Sequence, residues 1–221
     1  MSLPQPDVLY EDNHLLALLK PAGTLTMGDQ TGDTSMVDIA REYLRVKYNK
    51  PGNVFVGVVH RLDRPVSGVL LFARTSKAAS RLSEQFRVGS VRKVYRAVVA
   101  GTVTDGESEF VDWLQKNKQE NLVRVVSEGT SRAQKSVLMC RLVTSRHGRS
   151  EVEIEPVTGR SHQIRVQLAS RGLPIVGDVK YGSTQRRGGR ILLHAQSLEI
   201  DHPTKKTRLE IVSKSRLTAD D

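Results

Sequence analysis

The residues best placed to do chemistry lie in one stretch, Val58-Val59-His60-Arg61-Leu62-Asp63-Arg64-Pro65-Val66-Ser67-Gly68. A carboxylate set between two guanidinium groups stays ionised at neutral pH, because opposite charge favours the charged form. An ionised Asp63 is what a nucleophile has to be. Pro65 restricts one backbone angle, and Gly68 permits a turn that other residues resist. An isolated R-x-D pair is more often a salt-bridged surface loop than a catalytic one. The elements around it have to decide.

Apolar, β-branched runs flank the stretch, Val54-Phe55-Val56 before it and Val69-Leu70-Leu71-Phe72 after it, and both read as buried strands. Upstream, Val8–Leu19 reads as a hairpin turning at Asp12-Asn13-His14 and broken by Lys20-Pro21-Ala22-Gly23. Ser35 with Asp38 forms a capping-box pattern, and Ile39, Tyr43 and Val46 give the following helix an apolar stripe that ends before Asn49-Lys50-Pro51-Gly52. Ser76 is the expected cap of a second helix, with Ala79, Leu82 and Phe86 on one face and Gly89 as its stop.

Further along, Lys93–Gly101 alternates like a strand with Tyr95, Ala97 and Val99 on one face. Residues 102–150 read as short strands joined at Asp105-Gly106, Glu128-Gly129 and His147-Gly148. In Glu151-Val152-Glu153-Ile154-Glu155 the carboxylates point outward, a solvated strand face rather than a paired-acid site. Ser161 is the expected cap of a helix through Ser170, and residues 191–212 close the chain with a hairpin around His202-Pro203-Thr204. Hairpins dominate without regular strand–helix alternation, so the fold class is α+β with a mixed or antiparallel sheet.

His60-Arg61-Leu62-Asp63-x-x-x-Ser67-Gly68 resembles the H-R-L-D-x-x-T-S-G signature of the RluA-type RNA pseudouridine synthases, with Val66 where that family usually has Thr. Two more blocks resemble the family in order: Glu11-Asp12-Asn13-His14-Leu15 with Lys20-Pro21-Ala22-Gly23, and Gly159-Arg160-Ser161-His162-Gln163-Ile164-Arg165-Val166 with Pro174-Ile175-Val176-Gly177-Asp178 and Tyr181-Gly182. The resemblance implies the pseudouridine synthase fold, a central sheet flanked by helices and folded as two lobes about a cleft. It implies a single catalytic domain over 8–212, leaving 213–221 as an expected disordered tail. It also implies isomerisation of uridine in RNA: Asp63 as nucleophile, Arg165 as the arginine paired with the catalytic carboxylate, and Tyr95 stacked on the base and accepting the proton from its carbon 5. A free tyrosine has a pKa of about 10, so that last role needs a cation nearby. Arg61 is the candidate for filling the space of a flipped base, since a planar guanidinium stacks on bases. His60, Arg160 and His162 complete the expected substrate-binding set. His60 is expected to brace the loop, His162 and His194 to serve structure or phosphate contact, and Asp178 to sit at a turn.

The 221-residue chain carries a formal charge of +10, which favours polyanionic partners. The reaction is redox-neutral, so no cofactor is expected. No two histidines show ligand spacing and Cys140 is the only cysteine, so neither a metal site nor an intramolecular disulfide is expected. No signal peptide opens the chain and no apolar run is long enough to span a membrane. A cytoplasmic monomer is therefore expected, acting on tRNA or rRNA without a preceding RNA-binding domain. The Arg64-Pro65 pair is closer to the TruC-like variety of the family, which points toward tRNA. Two other readings compete: a catalytically inactive RNA-binding protein on the same fold, and a carboxylate-dependent nucleoside glycosidase. Intact Asp63, Tyr95 and Arg165 count against the first. The lack of an evident second acid counts against the other.

Overall fold

The computed structural model describes residues 3–104, 106–215 and 217. Its elements run β1 (Val8–Glu11), β2 (Leu15–Lys20), α1 (Met36–Lys47), β3 (Gly57–Val58), β4 (Ser67–Ala73), α2 (Ser76–Val88), β5 (Arg92–Ala100) and β6 (Glu107–Asn117). There follow β7 (Leu122–Val126), β8 (Gln134–Arg146), β9 (Arg149–Pro156), α3 (Gln163–Ala169), a 3-10 turn at Val179–Tyr181, β10 (Leu193–Asp201) and β11 (Arg208–Val212). Backbone contacts divide the described residues into two units, one of those up to 92 with 195–215 and one of those from 93 to 194 with 217.

In the first unit the expected β1–β2 hairpin forms, turning where Asp12 accepts from the backbone N–H groups of His14 and Leu15. Leu15, Leu16, Ala17 and Leu18 are all fully buried, so β2 is covered on both faces, as a continuous apolar run demands. It pairs antiparallel with β4 along its whole length, Leu15 opposite Ala73 and Lys20 opposite Gly68. Helix α2 covers one face of this sheet, Ala78 and Leu82 packing in a cluster with Leu15, Ala17, Val69, Leu71 and, from the β10–β11 hairpin, Leu198 and Ile211. Gly68 has φ +125°, and a Cβ there would lie 2.7 Å from the Cα of Ala195, so β4 and β10 approach at this point only because the residue is glycine.

The second unit is an antiparallel sheet in the order β5-β9-β8-β6-β7. Hairpin β8–β9 turns through His147 (φ 51°) and Gly148 (φ 73°), the left-handed pair of a tight hairpin turn. Helix α3 and the 3-10 turn pack on this sheet through Val166 and Tyr181, which cluster with Leu114 and Val123.

Several expectations need correction. Val54 and Val56 are buried, but Phe55 is half exposed and only Gly57–Val58 pair with β4: alternation reported burial, not a backbone partner. In α1 the capping box of Ser35 and Asp38 forms, yet the buried face is Met36, Val37, Ile39, Ala40 and Leu44, while Val46 is exposed. Tyr43 turns its hydroxyl to the Glu11 carboxylate instead of packing as a core residue. The cap of α2 is Thr75, whose Oγ1 accepts from the Ala78 N–H; Ser76 is the first helical residue. Within residues 106–150, β6 and β8 are long strands, since their charged residues fall largely on less buried positions, while β7 is short as expected, and Asp105 of the expected Asp105-Gly106 turn lies outside the described residues. Ser161 does not cap α3. His162 does so in a left-handed conformation (φ 52°), and the Gln163 amide oxygen accepts from the Arg160 N–H. Glu151 and Glu153 are half-buried and ion-paired with Arg96, Glu153 also with Arg141, rather than simply solvated. The foreseen tail at 213–221 lies mostly outside the described residues, though Ser213 is buried and exchanges hydrogen bonds with Gln196.

Candidate active site

Asp63, Arg61 and His60 lie in the first unit; Tyr95, Arg160, His162 and Arg165 lie in the second. In the first unit the loop after Val58 is clamped at several points. Thr26 Oγ1 accepts from the Leu62 N–H at 3.2 Å and donates to the Leu62 carbonyl at 2.8 Å, which fixes the residue before Asp63. The Asp63 carbonyl accepts from the Val66 N–H at 3.0 Å, closing a turn over Arg64 and Pro65. Asp63 itself is half-buried.

The expectation that both neighbouring arginines hold Asp63 needs revision. Arg64 sends its guanidinium to Asp33 (2.6 Å) and to the Gly23 carbonyl (3.0 Å). Arg61 is exposed and makes no hydrogen bond or ion pair among the described residues. Lys20, at the end of β2, is a cation that feels the charge of Asp63. Its side chain is fully buried, and Nζ donates to the carbonyls of Pro21 (3.0 Å), Arg64 (3.1 Å) and Val66 (2.6 Å). Burial pushes the Lys20 ammonium down to about 7, Asp63 opposing that shift and Arg64 adding to it. Three carbonyls match the three donors of the ammonium, whereas a neutral amine has only two. Lys20 therefore ties both ends of the Arg64–Val66 turn to β2. Its sequence signal was an isolated lysine closing an apolar run directly before proline.

His60 Nε2 accepts from the Leu71 N–H at 2.9 Å, which places a ring proton, in the neutral form, on Nδ1. Its ring stacks on Phe86, with centroids 5.0 Å apart. This is the geometry of a brace.

In the second unit Tyr95 stands on β5 opposite Ile154, half-buried. Arg165, in the first turn of α3, is buried and bidentate with Asp178: Nε to Oδ2 at 2.7 Å and Nη2 to Oδ1 at 2.9 Å. Asp178 thus does more than end a turn; it fixes the plane of the guanidinium. Arg165 also lies over the Tyr181 ring at 4.9 Å. The Tyr181 oxygen accepts from the Val123 N–H at 3.0 Å and is hydrogen-bonded to His162 Nδ1 at 2.7 Å. His162 therefore orients the ring beneath Arg165, and Arg160 is exposed beside it, its Nε donating to the Lys135 carbonyl at 3.3 Å. His194 is buried, and burial pushes its imidazole down to about 4, which keeps it neutral at physiological pH. Among the described residues no group of three His, Cys, Asp or Glu side chains is arranged to hold a metal ion.

The first unit offers a carboxylate on a braced loop, the chemistry of a nucleophile; the second offers an arginine held in a fixed plane and, on β5, a tyrosine. The sequence model of the RNA pseudouridylate synthase family matches residues 14–170. The chain is 36% identical over 212 residues to ribosomal large subunit pseudouridine synthase C of Vibrio cholerae, covering 92% of this chain and 64% of that protein. It is 33% identical to the dual-specificity RNA pseudouridine synthase RluA of Haemophilus influenzae, covering 96% of this chain and 94% of that one. It is 34% identical to the tRNA pseudouridine synthase C of Haemophilus ducreyi, covering 93% and 89%. The solved structure of human RNA pseudouridylate synthase domain containing 4 superposes with a TM-score of 0.78 over 94% of this chain and 88% of that one, at 23% identity, which bears on the fold.

Proposed function

Because the chain belongs to the RNA pseudouridylate synthase family, we propose that it isomerises specific uridines of structured RNA to pseudouridine, with Asp63 as the nucleophile. The observation that carries this reading is the Asp63 loop, braced by Lys20, Thr26 and His60 while the neighbouring Arg61 stays exposed. A loop this constrained holds a carboxylate in place at little further entropic cost. In the reaction the bond between ribose and the uracil nitrogen breaks, the base turns, and carbon 5 joins the ribose. Carbon 5 gives up its proton and the released ring nitrogen gains one, so the sum is an isomerisation with nothing oxidised and no cofactor required.

Tyr95 stacks on the base and accepts the carbon 5 proton, Arg165 steadies the charge at the reacting carboxylate, and Arg61 occupies the stack from which the uridine is flipped. Arg160, His162 and His60 complete the binding surface, the last two as braces. The substrate is tRNA or rRNA, the two classes that appear in the names of the relatives. The protein acts as a cytoplasmic monomer. No helix among the described residues is long and apolar enough to cross a membrane.

The test is turnover of unmodified tRNA and rRNA transcripts by wild type and Asp63→Asn. The variant should form no pseudouridine while binding RNA nearly as well, because little volume and no phosphate donor is lost. Substantial turnover by Asp63→Asn would remove Asp63 from this role. RNA binding without turnover by the wild type would favour the inactive binding protein instead.

A further inference from the structure

The second unit contains a cleft of about 460 Å³ between the end of the β6–β7 hairpin and the loop that leads into α3. Its charged lining is Lys116, Lys118, Arg132 and Arg160, with no carboxylate among the lining residues. The acid next along the hairpin, Glu120, is paired with Arg124 at 3.2 Å. Four cations around one cleft repel each other and lose that penalty only when an anion enters. The charged side chains are donors alone, which suits oxygens that only accept, as phosphate oxygens do.

The cleft is also wired to Arg165. Its wall residue Val123 donates its N–H to the Tyr181 oxygen, which in turn bonds His162, and Arg165 lies over that tyrosine ring. Arg160 lines the cleft while its N–H is held by Gln163 at the start of α3. An occupant pressing on this wall therefore bears on the groups that position Arg165.

We propose that this cleft is a phosphate-binding subsite for the backbone of the RNA substrate. The proposal rests on the reading of the protein as an RNA pseudouridine synthase and assigns part of its substrate recognition to residues outside the family-like blocks, namely Lys116, Lys118 and Arg132.

The experiment measures affinity for a fluorescein-labelled stem–loop RNA with uridines in its loop, across a KCl titration. It compares wild type, the cleft variant Lys116→Gln/Lys118→Gln/Arg132→Gln, and a control that loses equal charge from the first unit, Lys50→Gln/Lys77→Gln/Lys206→Gln. The slope of log affinity against log salt should fall by about 2 in the cleft variant, from the counterions no longer released, and by much less in the control. Equal falls in both variants, or no fall in the cleft variant, would overturn the proposal. Thermal melting identifies a variant that does not fold. In that case Arg132→Gln alone should lower the slope by about 0.7, and an unchanged slope overturns the proposal. Pseudouridine formation in tRNA and rRNA transcripts is assayed alongside. A wild type that binds through the cleft yet never isomerises uridine overturns the functional reading and keeps the subsite. One that isomerises uridine while the cleft variant binds unchanged overturns only the subsite.

Discussion

Lys20 organises the Asp63 loop, and its burial has a measurable consequence. An exposed lysine titrates at about 10.4, and burial brings Lys20 to about 7. Between those values the unfolded chain binds more protons than the folded one, so stability rises with pH across that window. In Lys20→Met that rise should disappear from melting curves taken between pH 7 and pH 10 (a range of about those values), and kcat should fall by at least about tenfold through loss of loop placement. An unchanged pH profile of stability would show that Lys20 is not the titrating group. Arg165 and Asp178 form the other decisive pair. Removing Asp178 strips a bidentate ion pair from a buried guanidinium, so Asp178→Asn should cost about 3–5 kcal/mol in denaturant unfolding. The double variant Arg165→Met/Asp178→Leu should regain much of that stability without regaining activity. If the double variant is as unstable as the single one, the ion pair is not the source of the loss.

At the scale of elements, local signals were legible in the sequence and long-range ones were not. The capping box at Ser35 and the left-handed stop at Gly89 need only neighbours a few residues away, and both form. The hairpin at Asp12–His14 is similarly local. Which face of α1 is buried depends on what the helix meets, and Tyr43 and Val46 were misread for that reason. The sequence around Asp63 marks it as a candidate nucleophile but gives no hint of Lys20, which lies 43 positions earlier and which only tertiary structure brings near. Asp178 was passed over for the same reason, since its partner Arg165 sits on a different element. Gly68 carries the same lesson into a prediction. Gly68→Ala combines a φ of +125° with a clash against the Ala195 backbone, and should cost more than about 3 kcal/mol or prevent folding. Gly129→Ala, at φ +84° with nothing within 4 Å, should cost only about 1 kcal/mol. Similar losses at both sites would mean that the close approach of β4 and β10 is not what Gly68 secures.

Across the whole molecule, charge and burial set the conditions under which the protein works. The net charge of +10 suits a polyanionic substrate, and on the proposed reading RNA binding should weaken steeply with added salt. Above the carboxylate range, acid should act through His194. Its imidazole is ordinarily half-protonated near 6.5, whereas burial holds it to about 4 in the folded chain. As pH falls through that window the unfolded chain takes up the proton first, so stability declines by on the order of 3 kcal/mol and no further on this account below it. His194→Gln should flatten that part of the acid-denaturation curve. A curve as steep as that of the wild type would place the acid sensitivity elsewhere.

The most direct test of the central claim is pseudouridine mapping of total RNA from cells that lack this gene, with wild type and Asp63→Asn restored separately. Loss of a pseudouridine at a defined uridine of tRNA or rRNA, recovered with the wild type and not with Asp63→Asn, is the predicted result. An RNA profile unchanged by removal of the gene, or a site restored equally by Asp63→Asn, would contradict it.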